Sequence, residues 1–302
     1  MKKITLLAVI LASTLGAFSQ GFYGGIQTGF ARGQATASSE QNNDDLNFAA
    51  IRYGSGLNFG GMLGYNFNEN VGFELGFSYL LGSKSTLTDE SSGSYYYNNG
   101  EFFTDVEVDY SEKETSMHKS RMFRLCPTLV MRSSKQGIAP YVKFGAVIGL
   151  GSKITQDYES TGTEDQTYFF DLLSSESTDE TTTEQYTGGI SLGITSSLGI
   201  NIPLSEKLSL FSELSFIGLN WAPEQKEVTS YEYNSEYTNY FDGFSDDYSV
   251  DLSDLDDYQV YTNYVESIDT SDEFDENDPS EAIKQFKLFN SIGINVGLNF
   301  GF

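Results

Sequence analysis

Residues 56–80 read GLNFGGMLGYNFNENVGFELGFSYL, and this stretch decides the fold. Leu57, Phe59, Leu63, Tyr65 and Phe67 share one parity, opposed by Asn58, Gly60, Gly64 and Asn66. After Asn68-Glu69-Asn70 the alternation resumes, with Val71, Phe73, Leu75, Phe77 and Tyr79 against Gly72, Glu74, Gly76 and Ser78. A period of two with a tight polar turn between the halves predicts a β-hairpin. In a soluble sheet the face opposite the apolar one carries many charges; here it is mostly Gly, Asn and Ser. Small polar residues suit the crowded inside of a closed sheet, and a continuous Leu/Phe/Val face suits lipid.

The same alternation recurs along the chain, at residues 21–31, 120–132, 140–151, 188–202, 207–219 and 285–302. With the two strands of the opening hairpin, the expectation is eight strands. Short connections fall near 68–70, 133–139 and 203–206, and long acidic ones near 32–55, 83–119, 152–187 and 220–284. Tight turns at one end and long loops at the other predict an all-β, eight-stranded antiparallel up-and-down transmembrane β-barrel. Each strand exceeds the roughly 9–11 residues that a tilted strand needs to cross a bilayer. A ten-strand variant remains if a hairpin at 95–110, turning at Asn98-Asn99-Gly100, enters the membrane; Asp105, Glu107 and Asp109 would then line the interior together.

At the N-terminus, Lys2-Lys3, the apolar run 4–17 and the small-x-small spacing of Ala17-Phe18-Ser19 read as a secretory signal peptide over 1–19, leaving 20–302 as the mature barrel domain. The run is shorter than the roughly 20 apolar residues of a spanning helix. A single Cys126 excludes an intrachain disulfide framework and any CxxC site. The formal net charge of −26 makes nucleic acid a poor partner.

Residues 56–80 resemble the second and third strands of OmpA-like and OmpX-like outer membrane proteins, with the GYxF, short turn and E-x-x-x-x-Y arrangement intact. The resemblance implies residence in the outer membrane among lipid and lipopolysaccharide, with both mature termini in the periplasm. It also implies that the terminal Phe302, after alternating Val296, Leu298 and Phe300, is an assembly signal read by the barrel-assembly machinery. The long acidic loops depart from the family. No periplasmic domain is expected after the last strand, so the peptidoglycan-binding role of full-length OmpA relatives is not carried over.

Parity sends four charged residues inward: Glu74, Arg124, Lys143 and Glu213. Unpaired charges in a narrow interior are costly, so ion pairs are expected, most simply Glu74 with Arg124 and Glu213 with Lys143. Such a cluster reads as a plug, with a small-ion path as the alternative. Carboxylates at Asp254, Asp256, Asp257, Asp272, Asp275 and Asp278 offer oxygen ligands to calcium without the spacing of an EF-hand loop; a plainly hydrated acidic surface is the competing reading. The loop tyrosines, as in TSYEYNSEY and YQVYTNYV, alternate and are expected to extend the barrel as hairpins, with an extracellular ligand left open. His118-Lys119-Ser120 is similar to the H-x-S pair of lipid A deacylases, which makes His118 and Ser120 the catalytic candidates of a hydrolase reading. Three residues are a short match in a Ser-rich chain, so the expectation is no enzyme and no cofactor.

Overall fold

A computed structural model describes residues 21–42, 45–97, 106–133, 137–168, 171–268 and 275–301. The proposed signal peptide, the turn at Asn98-Asn99-Gly100, Asp105, Asp272 and Phe302 lie outside the described residues. Strands β1 (Phe22–Gly33), β2 (Gly56–Asn66), β3 (Val71–Gly82), β4 (Val106–Arg132), β5 (Ala139–Tyr168), β6 (Ser191–Pro203), β7 (Leu208–Trp221) and β8 (Ser291–Gly301) each pair antiparallel with the next. β8 then pairs with β1, Ile26 opposite Leu298 and Phe30 opposite Ile294, and the ring closes. The hairpin of residues 56–80 forms in the register that its parity predicts, with Leu63 opposite Leu75 and Gly64 opposite Glu74.

Burial is inverted relative to a soluble protein. Ile26 is 60% exposed, Leu63 53%, Phe144 60% and Ile294 62%, while Glu74, Arg124, Lys143 and Glu213 are all below 9%. A contiguous exposed belt of Leu, Ile, Phe and Val around buried charges needs an apolar solvent on its outside. Among the described residues no helix is long and apolar enough to cross a membrane, so any crossing is made by strands.

The long connections hold far more regular structure than their acidity suggests. β4 runs for 27 residues and β5 for 30. At about 3.3 Å per residue β5 is about 100 Å long, several times the roughly 25 Å of a barrel's apolar band. Their outer halves form a blade with Ser85–Tyr97 on one side and, on the other, Asp171–Thr187, Gln225–Asn239 and Phe244–Asp251 in that order. The segments near 83–119, 152–187 and 220–284 are therefore largely sheet rather than irregular loop. Thr, Ser and Glu stand on both faces of these strands, which hides their period from a hydrophobicity reading. Ser85–Tyr97 pairs with Val106 onward, Tyr97 opposite Val106, as the hairpin expected around 95–110. It lies on the extension of β4 and not in the closed ring. The expected YQVYTNYV hairpin is corrected: Asp257–Val260 is a helical turn, because the Asp256 side chain and Gln259 cap it reciprocally, and only Tyr261–Val265 is strand.

Candidate functional site

Inside the ring, glycine makes room for large side chains. The Tyr23 ring lies against Gly64 and the Phe211 ring against Gly297, where any Cβ would collide with them. This explains why the lumen parity is so rich in glycine.

Lys143 stands between two carboxylates, its Nζ 2.7 Å from Glu74 Oε1 and 3.1 Å from Glu213 Oε2. β5 carries Lys143, with Glu74 two strands away on β3 and Glu213 two strands away on β7, so the lysine bridges the lumen in both directions. Tyr23 OH donates to Glu74 Oε2 at 3.0 Å and Tyr141 OH to Glu213 Oε2 at 3.0 Å; Asn295 Nδ2 donates to Glu213 Oε1 at 3.3 Å. Each carboxylate thus holds a cation and at least one neutral donor, as a buried ion pair requires.

The predicted Glu213–Lys143 pair is present, and the predicted Glu74–Arg124 pair is replaced by Glu74–Lys143. Register is the reason. Glu74 stands opposite Thr128 and Arg124 opposite Ser78, four residues further along, or about 13 Å. Arg124, 2% exposed, donates instead to the Asn58 side-chain oxygen. The four interior charges sum to zero within the lumen.

Two apolar layers flank the charges. Met62, Val130, Tyr141 and Phe211 form one near the short turns. At the blade end Leu80, Met122, Val147, Leu219 and Trp221 point into the ring and meet Tyr53 and Phe289 from the connections. Phe289 stacks on Tyr53 and meets Trp221 edge-on, both with ring centroids 5.9 Å apart, and Trp221 Nε1 donates to Gly188 O at 2.7 Å. This cap was legible in part, since Leu80, Met122, Val147, Leu219 and Phe289 are large apolar residues on the polar parity. Tyr53, in a connection, carried no such signal. Between the Arg124 and Lys143 levels is a cavity of about 60 Å³, space for about two waters. A wider vestibule of about 250 Å³, lined by Tyr23, Arg132, Asn201 and Asn299, opens at the turn end below Lys143.

His118 and Ser120 lie inward at the cap, both below 7% exposed. Ser120 Oγ donates to Tyr53 O at 2.6 Å, and His118 meets the Tyr53 ring edge-on at 6.1 Å. The hydroxyl is therefore turned to a carbonyl and not to the imidazole. Burial, and then the charge of Lys287, hold the His118 pKa below its ordinary value. Among the described residues no three His, Cys, Asp or Glu side chains come together as a metal site. Asp256 caps the helical turn, Asp254 accepts from the Asp251 N–H, and Asp275 accepts from Asn277.

No family model matches the chain, and no curated protein matches it. Among solved structures it is similar to a major outer membrane protein from Thermus thermophilus, at 12% identity over 93% of this chain and 98% of that one, with a TM-score of 0.26. It is similar to the outer membrane protease OmpT from Escherichia coli at 7% identity, over 94% and 97%, with a TM-score of 0.27. A FadL homologue from Pseudomonas aeruginosa gives 8% identity, over 95% and 91%, with a TM-score of 0.19. TM-scores this low carry no argument about what the chain does.

Proposed function

We propose that the chain is an eight-stranded outer membrane β-barrel of OmpA/OmpX-like architecture whose lumen is closed to solutes and whose blade is a surface-binding, adhesin-like module. The single observation that carries this reading is the inversion of burial, with an exposed apolar belt around a charged interior. The closed ring of pairings β1 to β8 supports the count. Eight strands leave an interior that side chains fill, and here the aromatic cap, the Arg124–Asn58 contact, the Lys143 bridge and the Phe211 layer succeed one another along it. Such stacking supports a plug over a small-ion path. A membrane module that builds so much sheet above its belt, with closely packed glycines below, commits most of its chain to what it presents outside.

Two measurements test this. In lipid vesicles with the blade outward, proteinase K should cut the blade and leave the belt strands of β1 to β8 protected; digestion of both at one rate removes the barrel reading. Cells displaying the chain should attach to a surface that cells bearing a chain shortened across Gln225–Ile283 do not. Equal attachment with both barrels assembled removes the adhesive role.

A further inference from the structure

The two faces of the blade differ. Directly opposed residues share a face, so the pairing register sorts every side chain. Tyr110, Tyr158, Tyr231, Tyr233, Tyr237 and Tyr248 all fall on the face continuous with the barrel lumen; the other carries Tyr96 among Ser, Thr, Asp and Glu. The tyrosine face also carries Glu112, Glu114, Glu164, Glu176, Glu180 and Asp246. In the outer strand segments 86–97, 106–117, 157–168, 171–183, 230–239 and 244–251 the sole basic residue is Lys113. It lies on the opposite face, bound to Glu90 at 2.6 Å.

Glu164 and Glu176 stand directly opposite each other, an arrangement that destabilises a sheet. Tyr110 flanks Glu164 and Tyr237 flanks Glu176, so one row across four strands reads Tyr–Glu–Glu–Tyr. Four residues nearer the barrel another row reads Glu114, Ser160, Glu180, Tyr233. These rows are about 13 Å apart. Carboxylates spread this way do not converge on one ion, and among the described residues no three meet as a metal site. They match instead a ligand whose positive charges are themselves spread along a chain, with tyrosine rings beside them for cation–π contact. A second copy of the blade would bring the same negative charge and is repelled.

From this we infer that the tyrosine face of the blade docks a lysine- and arginine-rich polypeptide segment. The inference rests on the reading of the blade as a surface-binding module and names its partner class. Decalysine, fluorescently labelled, is the probe, titrated by anisotropy against the purified full chain in neutral detergent at about 0.15 M salt, where distant surface charge is screened. The wild type is expected to bind decalysine and not decaglutamate. Glu164→Gln/Glu176→Gln/Glu180→Gln should weaken binding about tenfold or more. The control Glu159→Gln/Asp179→Asn/Glu232→Gln, an equal charge change on the other face, should weaken it less than about threefold. Tyr233→Ala/Tyr237→Ala, which leaves charge untouched, should weaken it about fivefold; this variant also decides the matter if the first does not fold. No binding of decalysine, equal weakening from the two faces, or no effect of the tyrosine pair overturns the inference. If displayed cells attach through the blade while the purified chain ignores decalysine, this inference fails and the adhesive reading stands.

Discussion

Replacing Lys143 by methionine keeps most of its volume and removes the charge that bridges Glu74 and Glu213. The two carboxylates, in residues 5% and 6% exposed, would keep only neutral donors: Tyr23 on Glu74, and Tyr141 and Asn295 on Glu213. Breaking a buried ion pair by removing one partner costs about 3–5 kcal/mol, and here one lysine serves two carboxylates, so the upper part of that range is expected. Neutralising the partners as well, in Lys143→Met/Glu74→Gln/Glu213→Gln, should restore most of the loss, because the penalty lies in the orphaned charges. The assay is urea unfolding of the barrel in lipid vesicles, followed by the emission of Trp221, the one tryptophan in the chain. A single variant within about 1 kcal/mol of wild type would refute the bridge as a structural element. So would a triple variant no better than the single.

Two further outcomes follow from the cap. Phe289→Ala removes a ring that touches both Tyr53 and Trp221, so a loss of about 3–5 kcal/mol and a red-shifted Trp221 emission are expected; an unchanged spectrum would mean that Phe289 does not cover the indole. His118 is held below its ordinary pKa of 6.5 in the fold by burial and Lys287. The unfolded chain therefore takes up the proton first, and stability should fall as pH drops below about 6.5, levelling off below the folded pKa. His118→Gln should flatten that part of the urea-midpoint profile, and an identical profile in the variant would sink the assignment.

The ring was legible because lipid on one side and a crowded lumen on the other impose opposite chemistry on alternate residues. Val71 to Leu81 could be assigned to a face one by one, and the structure places them as assigned. The interior charges were legible as a set, since parity alone turns Glu74, Arg124, Lys143 and Glu213 inward. Their partners were not, because the stagger between strands, which separates Arg124 from Glu74, leaves no trace in parity. The blade was harder still. With water on both sides of a strand no face needs to be apolar, so stretches such as residues 155–167 resemble loop in composition while pairing continuously as sheet.

β4 and β5 pass from the membrane into the blade as the same two strands, paired to each other from Arg132 opposite Tyr141 out to Glu107 opposite Thr167 with a register shift between Arg121 and Phe123. A pull on the blade along its strands therefore reaches the barrel wall as shear, shared among many rungs at once, and not as the one-by-one peeling that opens a hairpin from its end. A sheet built this way resists by the number of rungs engaged together, and each rung added above the belt lengthens the lever while strengthening its root.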